Sequence, residues 1–246
     1  MEGYHIYMWG YDKSAREIKK PYTPISHPSD LSALKILVKV YKPNEIFEEG
    51  GKLTQWIEDY TIGDMLTVSG PVGKCEYLGL GQFHFKRTDE YAKVKKLTLI
   101  GGGTGFTPFF QLLKGFQEEK EKSNNYENLK KVHHGKFSME EYEEFNGIEV
   151  SLLDLNKTED DILLPNQLID FQDRQVLSNL KFSVDKRTRE TEFDIHFEGQ
   201  LTQNMLESVL WEPADDHWVF YCGKTKFREL TKTLLERMGY TNIFQY

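Results

Sequence analysis

Cysteine is scarce in this chain: Cys75 and Cys222 are the only two in 246 residues, and neither has a second cysteine close in sequence. That excludes a disulfide-stapled scaffold and a thiolate zinc site, and it fits a reducing compartment such as the cytoplasm. Long apolar runs are absent as well. The stretches Leu97–Ile100 and Trp218–Tyr221 are far too short to span a bilayer, and the residues after Met1 show neither the charged nor the apolar part of an export signal. Positive charge is not in excess, since 31 Lys and Arg against 39 Asp and Glu give a formal net charge of -8. The lysines are dispersed among carboxylates, which argues against a nucleic-acid backbone as the main partner. With 39% hydrophobic, 28% charged and 13% aromatic residues, the composition excludes collagen-like, low-complexity and largely disordered classes. A chain of this length lies near the point where single cores divide, so two domains are expected.

What is present changes texture part-way along. Through about residue 92 apolar residues alternate with period two, as in Ile6–Trp9, Leu34–Tyr41 and Met65–Ser69, each ending near Gly, Pro or Asn. This predicts a small antiparallel sheet or barrel. Within it, 46–60 is more helical, with Leu53, Trp56 and Ile57 at i, i+3 and i+4. From residue 93 onward, strand candidates at 97–100, 148–153, 180–184 and 218–221 alternate with helical stretches at 107–122, 159–170, 203–211 and 226–238. Strand and helix repeated in this way predict a doubly wound parallel sheet. The expected domains are 1–92 and 93–246, dividing in the polar stretch Lys86–Lys96.

Residues 118–146 are rich in Glu, Lys and Asn and exceed the usual helix-to-strand link, so they read as a solvated surface insertion. Ser138 is a candidate N-cap there, with Glu141 at the third helical position. The pair His133-His134 does not read as a metal site, because chain neighbours do not easily face one ion and no third ligand is close.

The sharpest element is Leu99-Ile-Gly-Gly-Gly-Thr-Gly-Phe-Thr-Pro108, an apolar strand running through glycines into a helix. Glycines let a backbone approach a phosphate, and the helix start adds free N–H groups and a positive dipole end. The spacing is not GxGxxG, so taken alone the turn is equally a tight strand-to-helix connection. It does not stand alone. Lys20-Pro-Tyr-Thr-Pro-Ile-Ser26, Leu37-Val-Lys-Val-Tyr41, Gly50-Gly-Lys-Leu-Thr-Gln55, Gly70-Pro-Val-Gly73, the glycine turn, Asn156-Lys-Thr-Glu-Asp-Asp-Ile-Leu-Leu164 and Tyr221-Cys-Gly223 follow in order. Together they resemble the NADH–cytochrome b5 reductase family, within the ferredoxin-reductase-like flavoproteins. The resemblance runs from Gly3 to Tyr246 apart from the insertion, and it implies a partial antiparallel flavin-binding barrel followed by an NAD-binding α/β domain.

The resemblance also implies roles for individual residues. Lys20, Pro21, Tyr22 and Thr23 match the family's Arg-x-Tyr-Thr, where the cation holds the FAD pyrophosphate and Tyr and Thr meet the flavin and ribityl. Lysine keeps the charge but loses the bidentate fork, so a weaker grip is expected. Gly51, Lys52, Leu53 and Thr54 match a segment whose amides meet the FAD phosphates, and Lys39 and Tyr41 match a strand bordering both cofactors. Gly102, Gly103, Thr104 and Gly105 match the NADH pyrophosphate turn, with Thr107 and Pro108 beside the flavin. Asp185 matches the carboxylate that selects NADH, which accepts from a ribose 2′-OH and repels a 2′-phosphate. Cys222 and Gly223 match the Cys-Gly near the nicotinamide, and Phe227 follows on that loop. Thr23, hydrogen-bonding at flavin N5, and Cys222 are the expected catalytic residues. NADH would pass hydride to FAD, which would release single electrons to a haem protein such as cytochrome b5.

Two departures accompany the match. The family continues Cys-Gly-Pro-Pro where this chain has Lys224-Thr-Lys-Phe227, so a looser loop is expected. Gly3-Tyr-His-Ile6 is similar to the third strand of a six-stranded barrel, so two strands are expected to be missing ahead of it. A membrane anchor, where relatives have one, would also lie upstream. These departures keep a second reading open, a non-catalytic relative that binds a nucleotide or a partner protein.

Overall fold

The period-two pattern at the N-terminus produces β1 (His5–Tyr11), in which Ile6, Met8 and Gly10 turn inward while their neighbours stay more exposed. In this computed structural model, which describes residues 3–12, 14–26, 30, 32–45, 47–122, 127, 130, 133 and 136–246, β1 is the centre of a three-stranded antiparallel sheet. β2 (Glu17–Tyr22) pairs on one side and β3 (Thr67–Val72) on the other. Helix α1 (Lys52–Glu58) closes one face by placing Leu53 against Ile6 and Met8, with Trp56 and Ile57 packed around them. The strand expected at Leu34–Tyr41 does not form a ladder. Its backbone makes one isolated bridge, Ile36 to Pro24. The segment is held by its side chains instead: Ile36 and Val38 join the small cluster around Met8, while Leu37 packs on the main core.

An antiparallel meander follows, with β4 (Cys75–Gly79), β5 (Gln82–Phe85) and β6 (Glu90–Lys93) in that spatial order. It went unmarked in the sequence because its strands are short. Its inward residues Tyr77, Phe83 and Phe85 are buried in the main core rather than in a core of their own.

The remaining strands form one parallel six-stranded sheet in the order β10-β9-β8-β7-β11-β12. They are β7 (Lys96–Gly102), β8 (Glu149–Asn156), β9 (Asn179–Val184), β10 (Phe197–Glu198), β11 (His217–Cys222) and β12 (Ile243–Gln245). Their near-continuous apolar content is what burial on both faces demands. Leu97, Leu99, Leu152, Leu180 and Phe182 face the cluster that includes Phe109, Leu112 and Leu113 of α2 (Thr107–Lys122) and Leu168 and Phe171 of α4 (Pro165–Asp173). Ile100, Leu153, Leu155, Val219 and Tyr221 face Met205 and Leu206 of α5 (Gln203–Glu207) and Leu235 of α6 (Thr225–Arg237). The expected long helices at 159–170 and 203–211 are shorter: a 3₁₀ turn at Glu159–Asp161 precedes α4, and α5 stops at Glu207.

The insertion is not simply solvated. Ser138 does cap α3 (Met139–Glu144) with Glu141 in a reciprocal capping box. His133 and Phe137, however, are buried. His133 Nε2 lies 2.9 Å from Oε1 of the equally buried Glu119, its Nδ1 lies 3.1 Å from the Tyr142 hydroxyl, and its ring covers Gly79. Glu119 also accepts from the Tyr77 hydroxyl and from the Leu80 N–H at 2.7 Å. A buried carboxylate persists only with such a full set of partners. His134 lies outside the described residues.

Phe220 joins the meander to the parallel sheet, with ring centroids 5.3 Å from Phe83 and 5.2 Å from Phe244 and no exposed surface. Phe220→Ala is therefore expected to cost about 3–5 kcal/mol, measured as a lowered urea midpoint; a cost below about 1 kcal/mol would show that the ring does not tie the two sheets together.

Candidate active site

Parallel strands with aligned ends place their loops along one edge, and the predicted residues of the second half collect there. β7 ends at Gly102, Gly103–Phe106 make a 3₁₀ turn, and α2 begins at Thr107, whose hydroxyl donates to the Thr104 carbonyl at 3.1 Å. Gly103 has φ +57, and a Cβ there would meet nothing within 4 Å, so the turn opens onto free space. At Gly105 a Cβ would lie 2.4 Å from the Cys222 carbonyl oxygen, a close approach that only glycine allows. Phe227, from the first turn of α6, lies against both Gly102 and Gly223, its ring 2.9 Å and 2.5 Å from where their Cβ atoms would be. The wedge of Phe227 thus pins the Cys222-Gly223 end that lacks the two prolines. Thr107 and Pro108 are buried in the first turn of α2. Asp185 is exposed just past β9 on the same edge, its N–H donating to the Asn156 carbonyl at 2.9 Å.

The predicted residues of the first half make a second group. Lys20, Pro21 and Tyr22 lie on β2, and Lys20 shares with Ile18 and Tyr22 the sheet face that packs on α1. Lys20 and Pro21 are exposed; Tyr22 and Thr23 are half-buried. Burial, reinforced by nearby Tyr41, pushes the Tyr22 hydroxyl above its ordinary value. The Gly51 N–H donates to the Tyr41 carbonyl at 2.8 Å, the Tyr41 N–H to the Thr54 hydroxyl at 3.2 Å, and that hydroxyl to the Gly51 carbonyl at 3.0 Å. Gly51 is the N-cap of α1 and offers no side-chain cap, while Leu53 is buried and Lys52 pairs with Glu49 at 2.9 Å.

Tyr41 and Lys39 bring the two groups together. Lys39 pairs with Asp161, from the 3₁₀ turn after β8. Desolvation pushes the Asp161 carboxyl up, but the Lys39 ammonium and the Thr158 hydrogen bonds outweigh it and hold the group below its ordinary value. Over the Tyr41 ring stand two ammonium groups, Lys39 Nζ at 5.7 Å and Lys224 Nζ at 5.1 Å from its centroid. Lys224 caps α6 and belongs to the Cys-Gly loop. In the sequence Asp161 stands only as a member of its motif and Lys224 only as part of the departure from Cys-Gly-Pro-Pro, neither with a partner to give it meaning. Asp154, buried at the end of β8 beside Gly101, carries no signal in the sequence because it lies ahead of the Asn156–Leu164 motif.

A model of the oxidoreductase FAD-binding domain matches residues 1–77, and one of the oxidoreductase NAD-binding domain matches residues 99–233. NADH-cytochrome b5 reductase 2 of Rattus norvegicus is 30% identical over 237 residues, which covers 92% of this chain and 76% of the relative. The chain belongs to the NADH–cytochrome b5 reductase family. NADH-cytochrome b5 reductase 1 of Homo sapiens is 28% identical over 99% of this chain and 73% of its own length. The nitrate reductase [NAD(P)H] of Betula pendula is 29% identical over 90% of this chain, which spans 22% of that longer protein. The solved cytochrome b5 reductase domain of Ulva prolifera nitrate reductase superposes with a TM-score of 0.79 at 24% identity, covering 99% of this chain and 84% of that one, and shares the fold.

As a member of this family the chain is an FAD- and NADH-dependent oxidoreductase that moves electrons from NADH through the flavin. Among the described residues no helix is long and apolar enough to cross a membrane. The donor set fits both groups: an open glycine turn for the dinucleotide, and exposed Lys20 with the start of α1, which has no side-chain cap, for the FAD phosphates.

Burial pushes the Cys222 thiol up to about 11 and the Cys75 thiol up to about 12. Both stay protonated near pH 8 and weakly nucleophilic. Ellman's reagent is expected to leave both unlabelled in the folded protein and to label both in urea; rapid labelling of Cys222 in the folded state would contradict this burial.

Proposed function

We propose that this chain is an NADH-dependent flavoprotein reductase that passes single electrons to a haem protein of the cytochrome b5 kind. The supporting observation is the convergence of the glycine turn, the Cys222-Gly223 end, Lys39 and Tyr41 at one edge of the sheet. FAD, when bound, supplies the chemistry that converts hydride from NADH into single electrons. The chain supplies binding and orientation. Lys20 offers a point charge to the FAD pyrophosphate, and Tyr22 and Thr23 line the flavin, with the Thr23 hydroxyl as hydrogen-bond partner at N5. Gly51–Thr54 and Tyr41, already joined to one another, hold the flavin's phosphate end. On the dinucleotide side, the backbone of Gly102–Gly105 receives the pyrophosphate, Thr107 and Pro108 stand beside the flavin, and Phe227 supports the loop near the nicotinamide. Cys222 contributes a neutral thiol that packs rather than titrates. Asp185 accepts from the adenosine ribose and repels a 2′-phosphate.

The purified protein incubated with FAD is expected to hold flavin absorbance that bleaches anaerobically with NADH and only weakly with NADPH. Asp185→Ser is expected to raise the NADPH-to-NADH ratio of kcat/KM at least about tenfold, equivalent to about 1.4 kcal/mol. A protein that ignores added FAD would overturn the reading; an unchanged ratio would remove Asp185 from it.

A further inference from the structure

Asp154 has no part in the mechanism above, yet it occupies the carboxyl edge directly beside the glycine turn. It is 1% exposed and faces the same side as Val150 and Leu152, into the core beneath α2. In register with it stand Gly101 on β7 and Phe182 on β9. Its Oδ1 lies 3.5 Å from where a Gly101 Cβ would be, and Phe106 of the turn packs on the same spot at 3.0 Å. Oδ2 accepts from Asn156 Nδ2 at 2.8 Å. Asp154 Oδ1 and Asn156 Oδ1 are both buried without a hydrogen-bond partner.

Among the described residues no cation compensates this carboxyl. The 3₁₀ turn carries no charge, α2 has none before Lys114 and α4 none before Asp170. Of the charges that follow on β8's own loop, Lys157 is exposed, and the carboxylates are engaged elsewhere: Glu159 with Thr188, Asp160 with Arg189 and Asp161 with Lys39. The nearby imidazole, His196, accepts from the Phe182 N–H at 3.3 Å, and burial holds it below its ordinary value. Burial alone pushes Asp154 up to about 7, against the opposing Asn156 hydrogen bond.

A proton on Oδ1 would supply the donor that Asn156 Oδ1 lacks. The two side chains would then form an acid–amide pair with two hydrogen bonds and no orphan atom. Without that proton a bare charge lies under the turn where the dinucleotide phosphates would settle, and solvent screens buried charges poorly. We propose that Asp154 is a positioning residue of the dinucleotide site, which takes up a proton as the NADH pyrophosphate settles on Gly102–Gly105. The inference rests on the reading of that turn as the NADH site. The proton neutralises the turn's underside and locks Asn156, whose carbonyl holds the N–H of Asp185. Occupancy of the phosphate turn and placement of the specificity carboxylate are thereby coupled.

The test is calorimetric binding of NAD+, which carries the same pyrophosphate and cannot reduce the flavin, to the FAD-loaded protein. Titrations near pH 7 in two buffers of different ionisation heat count the protons taken up. The wild type is expected to take up a fraction of a proton and, at full coupling, to lose about tenfold in affinity between pH 6 and pH 8. Asp154→Asn, which mimics the neutral acid and can still pair with Asn156, is expected to show no uptake and to bind at pH 8 as the wild type does at pH 6. Asp154→Leu, which can neither titrate nor pair with Asn156, is expected to show no uptake and the same affinity at both pH values. His196 remains in all three proteins, so its contribution cancels. Equal pH profiles in wild type and variants, or no uptake by the wild type, would overturn the inference while leaving the reductase reading intact. Failure of NAD+ and NADH to bind at any pH would overturn both.

Discussion

The parallel register of β8, β7 and β11 is the constraint on which the rest of the molecule depends. It sets Asp154, Gly101 and Cys222 side by side at one edge, so that three loops far apart in sequence leave the sheet together. Any slip of one residue would move each strand's residues from one face of the sheet to the other. The slip is prevented by two-faced burial: Leu99 and Leu152 are fixed in one cluster while Ile100 and Leu153 are fixed in the other. The glycine turn is tight because Gly105 must pass the Cys222 carbonyl, and the Cys-Gly end is held because Phe227 fills the gap above both. The chemistry therefore rests on strand alignment before it rests on any charged group.

The N-terminal region is joined to that edge by mixed forces. Leu37 reaches the main core, while Ile36 and Val38 on either side stay with the smaller cluster, so one short extended segment is anchored in both. Beyond it, Lys39 and Asp161 form an ion pair whose side chains are 28% and 21% exposed, between the weak surface case and the costly buried one. Lys39 and Lys224 over Tyr41 add a like-charged pair that Asp161 balances only in part. Lys224, which has no carboxylate partner among the described ion pairs, leaves a positive charge at this junction in a chain whose net charge is -8.

Glu119 shows how an acidic insertion is anchored without a core of its own. Its carboxylate gathers Tyr77, Leu80 and His133, which tie the end of α2, the β4–β5 turn and the insertion into one buried knot. Spacing along the chain gave no hint of this, because a histidine among Glu, Lys and Asn reads as solvated until folding sets it against Glu119 and against Gly79 of the distant meander. The meander was equally silent. Its strands are four or five residues long, and Phe83 and Phe85 have meaning only once Phe220 stands opposite them.

The amino-acid sequence by itself determined the element types of the second half, the family, and the residue types of both cofactor motifs. These are local properties: hydrophobic period, glycine where a backbone must bend, and short motifs kept in order. It misjudged 34–41 as a strand, since period-two alternation reports alternate burial and says nothing of whether a hydrogen-bonding neighbour lies alongside. Only the tertiary structure decided what stands beside what. It paired Lys39 with Asp161, brought Lys224 to Tyr41, wedged Phe227 between two glycines, and buried Asp154 with an unpartnered oxygen next to the glycine turn. Each of these is a contact between segments distant along the chain, and its energy depends on distance and burial that no local pattern encodes.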